Sequence, residues 1–167
     1  MGILNPHPTP IMARILLIDD DYCVRTALRL TLAKLGHTVI EAGDGVEGLK
    51  RFLSANPDLV ITDIVMPEKE GLEVIMAIRA MQPSVKVIAI SGNSRLRAAD
   101  KLKMARQLGA VSVLEKPFTP AELQSAVDAV LLGDVHKSAL AHENQRSPTL
   151  AASSNFIPES TTEQSNQ

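Results

Sequence analysis

Hydrophobic residues along the chain concentrate in five short runs that are rich in β-branched side chains. These runs are too short for helices and are nearly continuous in apolar character instead of alternating with polar residues. Continuous apolar character is typical of strands that are covered on both faces, as in a parallel sheet. The five predicted strands are residues 15–18, 38–40, 59–62, 85–90 and 111–114.

The segments between these runs repeat apolar residues with the period of a helix, as in Val24, Leu28 and Leu32. Gly36 and Gly109 follow two of these segments, where a helix end commonly requires a positive φ. The alternation predicts five βα units over residues 14–132. Right-handed crossovers between parallel strands would give an α/β fold, a doubly wound five-stranded parallel sheet with helices on both faces.

Helix starts are marked by residues that cap the first turn. Thr119 and Glu122 form a predicted capping box around Pro120, and Asp44 is a predicted N-cap of an earlier helix. Asp21 is predicted to cap the first helix in the same way. These signals place helices after the first, second and fifth predicted strands.

The two ends of the chain differ in composition from the middle. Three prolines in residues 1–13 indicate a flexible leader, and residues 134–167 are a polar stretch with apolar residues too scattered to bury a face. We therefore predict a leader at 1–13, a single domain at 14–133 and a disordered polar tail at 134–167. The tail is too short for a second domain of ordinary size.

Composition narrows the function classes without selecting one. The 167 residues are 45% hydrophobic, which is enough for a core, and the formal net charge of −2 favours neither nucleic acid nor an anionic membrane as a partner. Aromatic residues make up only 2%, too few for a base-stacking surface. One cysteine, no secretory signal and no long apolar segment predict a cytoplasmic protein without membrane attachment.

Acidic residues follow two of the predicted strands directly. Asp19 and Asp20 come after the first strand and Asp63 comes after the third. Parallel strands present their carboxyl ends at one edge of a sheet, where ligands collect in such folds. Carboxylates held together raise each other's pKa unless a cation enters, and Mg²⁺ is a hard cation that prefers such oxygen ligands.

Two further strand ends add a hydroxyl and a cation. Ser91 follows the fourth strand and Lys116 follows the fifth. An acidic metal site, a carboxylate nucleophile, a hydroxyl and an ammonium together suit phosphoryl transfer, which mainly requires positioning and charge neutralisation. A carboxylate is an established covalent nucleophile for this chemistry.

At residues 13–132 the chain resembles the receiver domains of two-component response regulators. The resemblance rests on Ile-Leu-Leu-Ile-Asp-Asp-Asp at 15–21, Asp-Ile-Val-Met-Pro at 63–67 followed by Gly71, Ser-Gly at 91–92 and Lys-Pro-Phe at 116–118. Each motif alone is weak evidence, whereas their order, each after its own strand, is specific. The resemblance implies the flavodoxin-like (βα)5 receiver fold.

The resemblance also implies a metal site. Asp63 is then the phosphoacceptor, Asp20 a direct Mg²⁺ ligand and Asp19 an acid that holds the metal through water. The backbone carbonyl of Val65 corresponds to a further protein ligand of the metal.

Two more residues receive roles from the resemblance. Ser91 corresponds to a switch hydroxyl that moves to meet the phosphoryl group, and Lys116 corresponds to a lysine that pairs with that group. The peptide bond between Lys116 and Pro117 is expected to be cis.

Signalling partners also follow from the resemblance. The phosphoryl donor is expected to be a sensor histidine kinase or a phosphotransfer protein. The chain would act as a stand-alone receiver that hydrolyses its own phosphate slowly, is otherwise no enzyme, and signals to a downstream protein partner without binding nucleic acid directly.

One position departs from the receiver pattern. Val113 stands three residues before Lys116, where receivers usually carry a Tyr, Phe or His that rotates inward on activation. An aliphatic side chain cannot signal by ring rotation. This departure keeps open a degenerate receiver that works as an interaction module without phosphorylation.

A second alternative is a phosphatase or phosphomutase similar to the haloacid dehalogenases. Their nucleophilic Asp also ends a strand in a D-x-D motif, which residues 19–21 satisfy formally. Cys23 replaces the Thr or Val that they prefer, and an acidic pair is missing after Lys116.

Overall fold

The computed structural model describes residues 12–66, 70–92 and 98–143 of the chain. The predicted strands and helices all appear, in the predicted alternating order. The elements are β1 (Arg14–Ile18), α1 (Tyr22–Lys34), β2 (Thr38–Ala42), α2 (Gly45–Ala55), β3 (Leu59–Asp63), α3 (Gly71–Met81), β4 (Lys86–Ser91), α4 (Ala98–Gln107), β5 (Ser112–Glu115) and α5 (Pro120–Glu143).

The five strands form one parallel sheet in the order β2-β1-β3-β4-β5. This arrangement confirms the predicted doubly wound fold. Ile18 pairs with Thr62, so that β1 and β3 end side by side, and Ser91 pairs with Glu115 at the ends of β4 and β5. The residues that follow these strands therefore meet at one edge of the sheet.

Apolar side chains from the strands are buried on both faces of the sheet. In β1, Leu16 and Ile18 belong to a core cluster on one face, whereas Ile15 and Leu17 belong to a second cluster on the other. All four are completely buried. Burying such a side chain stabilises the fold by roughly 1.5–3 kcal/mol relative to leaving it exposed, which explains why the strand sequence is apolar throughout.

The predicted helix boundaries have the expected local geometry. Gly36 and Gly109 have φ angles of 91° and 107°, in the region that favours glycine. The Asp21 carboxylate accepts hydrogen bonds from the backbone N–H groups of Cys23 and Val24, and Asp44 caps α2 through the N–H of Glu47. The capping box at the start of α5 is present as well, with Glu122 accepting from the Thr119 N–H at 2.7 Å.

Strand ends differ from the prediction by one or two residues. β4 and β5 each begin and end one residue later than their apolar runs, and β2 continues to Ala42. Val85 lies in the turn before β4, where its N–H donates to the carbonyl of Gln82 at 3.3 Å. Polar residues such as Ser91 extend the strands because ladder pairing uses backbone groups and does not depend on an apolar side chain.

The predicted domain limits also differ at both ends. Ala13, assigned to the leader, is buried, and its carbonyl accepts from the N–H of Thr38 at 2.9 Å. Helix α5 runs to Glu143, so the first ten residues of the predicted disordered tail, 134–143, are helical. The rest of the predicted leader and tail, residues 1–11 and 144–167, lie outside the described residues. Within the described ranges, no helix is both long and apolar enough to span a bilayer.

Candidate functional site

Four strand ends converge on an acidic pocket at the carboxyl edge of the sheet. Asp19 follows β1, Asp63 ends β3, Ser91 ends β4 and Lys116 follows β5. The Asp19 N–H still donates to the carbonyl of Ala42 in β2 at 3.3 Å, so the ladder holds this residue in place. Three of these residues, Asp19, Asp63 and Ser91, are buried.

The three predicted acidic residues form a compact cluster. Asp19, Asp20 and Asp63 each offer a carboxylate oxygen, and these oxygens lie within 4.8 Å of one another. Asp19 and Asp63 are buried whereas Asp20 is exposed, which leaves one side of the cluster open to solvent. Such a donor set of hard oxygens fits a magnesium ion that keeps several water ligands.

Lys116 joins two of these carboxylates. Its Nζ lies 2.8 Å from Oδ2 of Asp19 and 2.5 Å from Oδ2 of Asp63. The backbone N–H of Lys116 donates to the carbonyl of Ser91 at 2.8 Å, which fixes the start of the loop after β5. The peptide bond between Lys116 and Pro117 is cis, as predicted.

Burial and the contacts between Lys116 and the carboxylates have opposing effects on the pKa values of Lys116 and Asp19. Burial is the largest effect on Lys116 and works to lower its pKa, but hydrogen bonds to Asp19 and Asp63 and the charges of these residues outweigh burial, so the pKa is raised. Burial raises the pKa of Asp19, and the contact with Lys116 offsets this only in part. If all three carboxylates are ionised, their charge with Lys116 is −2, which one divalent cation would balance.

Backbone groups orient both buried carboxylates. Oδ1 of Asp63 accepts from the N–H of Val65 at 2.9 Å, and Oδ1 of Asp19 accepts from the N–H of Asp21 at 3.0 Å. Lys116 holds the second oxygen of each. The loops after β1 and β3 therefore present the carboxylates in fixed directions.

The remaining predicted site residues lie close by in the fold. Val65 follows Asp63 by two residues and is 43% exposed. The Ser91 hydroxyl donates to the carbonyl of Gly92 at 3.3 Å and is thus engaged with its own loop. The roles assigned to Val65 and Ser91 stay predictions.

Two contacts of the site were not deduced from the sequence. A Cβ built on Gly71 would lie 1.9 Å from the backbone oxygen of Asp63, so this glycine allows α3 to start directly against the end of β3. Arg25 Nη1 donates to the backbone carbonyl of Asp19 at 2.5 Å. The position of Gly71 soon after Asp63 in the sequence was a signal for the first contact. For the contact of Arg25, the only signal in the sequence is that Arg25 lies one helical turn after the predicted N-cap Asp21.

Val113 lies in β5 and packs against the neighbouring elements of the core. It is partly buried and packs against the core cluster that includes Ala89, Ala105 and Val87. An aliphatic side chain is therefore packed at the position where receivers usually carry an aromatic ring or a histidine that rotates on activation.

A parallel five-stranded sheet with a lysine-bridged acidic cluster at its carboxyl edge is the arrangement that the resemblance to receiver domains led us to expect. Comparison with known proteins gives the family. The family model for the response regulator receiver domain matches residues 15–128. The chain belongs to the receiver domain family of response regulators, and it has the phosphoacceptor domain of two-component signalling.

Two curated relatives match this chain over only part of their own length. The chain is 38% identical over 128 residues to the DNA-binding transcriptional regulator NtrC of Azospirillum brasilense, covering 77% of this chain and 26% of the relative. It is 32% identical over 118 residues to the alkaline phosphatase synthesis transcriptional regulatory protein PhoP of Bacillus subtilis, covering 71% of this chain and 48% of the relative. The chain thus spans less than half of these two relatives.

A solved structure agrees with the fold. The response regulator receiver domain protein of Clostridium thermocellum superposes with a TM-score of 0.69 at 30% identity, over 77% of this chain and 99% of that one. This likeness is consistent with the flavodoxin-like fold that the sequence predicted. Receiver domains are signalling domains that generally bind Mg²⁺ at an acidic cluster, and family membership argues against the dehalogenase alternative.

Proposed function

We propose that Asp63 is the residue that accepts the phosphoryl group. The observation that carries this proposal is the bridge from Lys116 Nζ to Asp63 Oδ2 at 2.5 Å and to Asp19 Oδ2 at 2.8 Å. It supports a fixed positive charge from Lys116 beside both Asp63, which we assign as the nucleophile, and Asp19, which we assign to the metal site.

The metal site in this proposal uses four residues. Asp20 and Asp63 would bind Mg²⁺ directly, Asp19 would hold it through water, and the backbone carbonyl of Val65 would complete the protein ligands. The exposed position of Asp20 supports direct ligation because the ion can enter from solvent and retain water ligands. Mg²⁺, when bound, neutralises charge on the phosphoryl oxygens.

The transfer step is a displacement at phosphorus. A carboxylate oxygen of Asp63 forms the new O–P bond as the P–N bond of a phosphohistidine breaks. The electron pair of that bond returns to the imidazole nitrogen of the donor. Lys116 stays protonated because its pKa is raised, and it neutralises charge that develops on the transferring oxygens.

The donor and the output complete the proposed function. A sensor histidine kinase or a phosphotransfer protein supplies the phosphoryl group, and water slowly removes it from Asp63 without another enzyme. Ser91 turns from the Gly92 carbonyl towards the phosphorylated carboxylate and changes the loop after β4, which a downstream protein partner would recognise. Within the described residues the Ser91 hydroxyl makes one hydrogen bond, at 3.3 Å to the Gly92 carbonyl, which supports this change because little has to be broken.

Intact-mass spectrometry after incubation with acetyl phosphate and Mg²⁺ tests the proposal. We expect the wild type to gain one phosphoryl group and the Asp63→Asn variant to gain none. Asp58→Asn is a matched control, since Asp58 accepts from the Arg14 N–H at the opposite edge of the sheet. An adduct that persists on Asp63→Asn would sink the assignment, and a wild type without an adduct would favour the degenerate interaction module.

A further inference from the structure

Arg25 connects the first helix to the backbone that carries the acidic cluster. It lies in α1, one turn after Asp21, and its side chain is only 15% exposed. Its Nη1 donates to the carbonyl oxygen of Asp19 at 2.5 Å. That carbonyl belongs to the peptide unit between Asp19 and Asp20, so the hydrogen bond fixes the plane from which both residues project.

Neighbouring groups in α1, β2 and the loop after β2 surround the guanidinium of Arg25. Nε lies 3.7 Å from Oε1 of Glu41 in β2, and the guanidinium carbon lies 5.6 Å from the centre of the Tyr22 ring. Nη1 also lies 3.6 Å from the point where a Cβ on Gly43 would stand. Because the planar guanidinium can donate in several fixed directions, it reaches Asp19 and Glu41 at once, which a lysine ammonium does less well.

We propose that Arg25 is a positioning residue for the magnesium site. By fixing the Asp19–Asp20 peptide, it directs the Asp20 carboxylate towards those of Asp19 and Asp63. This inference rests on the proposed function, because it assumes that these carboxylates hold the metal.

Charge alone would have the opposite effect. Arg25 is a cation close to the cluster, so its repulsion would weaken Mg²⁺ binding, and its removal would then tighten binding. Positioning predicts the reverse. The sign of the change in Mg²⁺ affinity therefore separates the two effects.

Isothermal titration calorimetry of the full chain with MgCl₂ provides the test. We expect the Kd for Mg²⁺ to rise about tenfold in Arg25→Gln, because loss of a residue that orients a metal ligand without touching the metal typically weakens metal binding by at least that factor. Arg25→Lys keeps the charge but not the planar group, so its Kd should rise as well. Arg29→Gln is the matched control, since Arg29 contacts the same Glu41 at 3.2 Å and should leave the Kd unchanged.

Circular dichroism without Mg²⁺ shows whether each variant is folded, and Arg25→Lys keeps the test decisive if Arg25→Gln does not fold. An unchanged or lower Kd in a folded Arg25 variant would overturn the inference. A wild-type Kd in Arg25→Lys would also overturn it, because the planar guanidinium would then not be needed to position the Asp19–Asp20 peptide. A wild type that binds no Mg²⁺ would overturn the proposed metal site together with this inference, whereas the other results leave that site intact.

Discussion

Gly71 offers a test of how precisely the fold holds Asp63. A Cβ at position 71 would stand 1.9 Å from the Asp63 oxygen and 2.8 Å from both the Asp63 carbonyl carbon and the Ile64 Cα. Ordinary contacts begin at 3.4 Å, so a methyl group requires a displacement of about 3.4 − 1.9 = 1.5 Å. All three obstructing atoms belong to the backbone and cannot rotate away.

The expected magnitudes follow from this displacement. The Gly71 N–H donates to the Ile64 carbonyl at 3.0 Å, so the start of α3 and the end of β3 are tied and must separate or move together. Overpacking of this kind costs about 1–3 kcal/mol in the free energy of unfolding. A misplacement of about 1 Å at a reacting group costs on the order of 100-fold in rate, so Gly71→Ala should slow phosphorylation of Asp63 by about that factor.

The assay compares labelling rates with stability. Phosphorylation by acetyl phosphate is followed over time by intact mass, and the free energy of unfolding is measured by urea denaturation. Gly48→Ala is the control, because its Cβ would meet the end of the flexible Ile18 side chain at 2.5 Å instead of backbone. Gly48→Ala should label within a few-fold of the wild type. A folded Gly71→Ala protein that labels at the wild-type rate would show that the backbone of Asp63 tolerates this displacement without loss of reactivity.

Two further predictions concern stability away from the pocket. Burial lowers the pKa of His37, whose Nδ1 accepts from the N–H of Ala13 at 3.3 Å, although the charge of Asp128 opposes this. As the pH drops, the unfolded chain therefore takes up the proton first, and the free energy of unfolding should fall at pH values below the ordinary pKa of 6.5. Urea denaturation at several pH values measures the slope of this free energy against pH, which should be smaller in His37→Gln. An equal slope in the variant would contradict this role of His37. Arg79 donates to three backbone carbonyls at the opposite edge of the sheet. Arg79→Met should therefore lower the free energy of unfolding by about 1–3 kcal/mol in the same assay. An unchanged free energy would show that water replaces these hydrogen bonds without cost.

The order of elements and the place of the site were predictable from the sequence. Short apolar runs without alternation that are rich in β-branched residues are typical of strands covered on both faces. The acids at 19 and 63 follow such runs directly. Once the strands are parallel, their carboxyl ends must lie at one edge. The convergence of Asp19, Asp63 and Lys116 therefore followed from topology and required no long-range information.

Other features depend on side-chain geometry that periodicity does not encode. The contact of Arg25 with a backbone carbonyl depends on the rotamer of a long side chain, and the start of α3 against Asp63 depends on a missing Cβ at Gly71. The extent of α5 was misjudged because residues 134–143 carry no regular apolar face, although a helix can continue by propensity alone.

We expect the phosphoryl group on Asp63 and on neither Asp19 nor Asp20. Treatment of the phosphorylated chain with borohydride reduces an acyl phosphate to the alcohol, which converts the modified aspartate to homoserine, and peptide mass spectrometry then locates it. Our account predicts homoserine at position 63 in the wild type when Mg²⁺ is supplied and at no position when Mg²⁺ is removed by chelation. Homoserine at position 19 or 20 would contradict it.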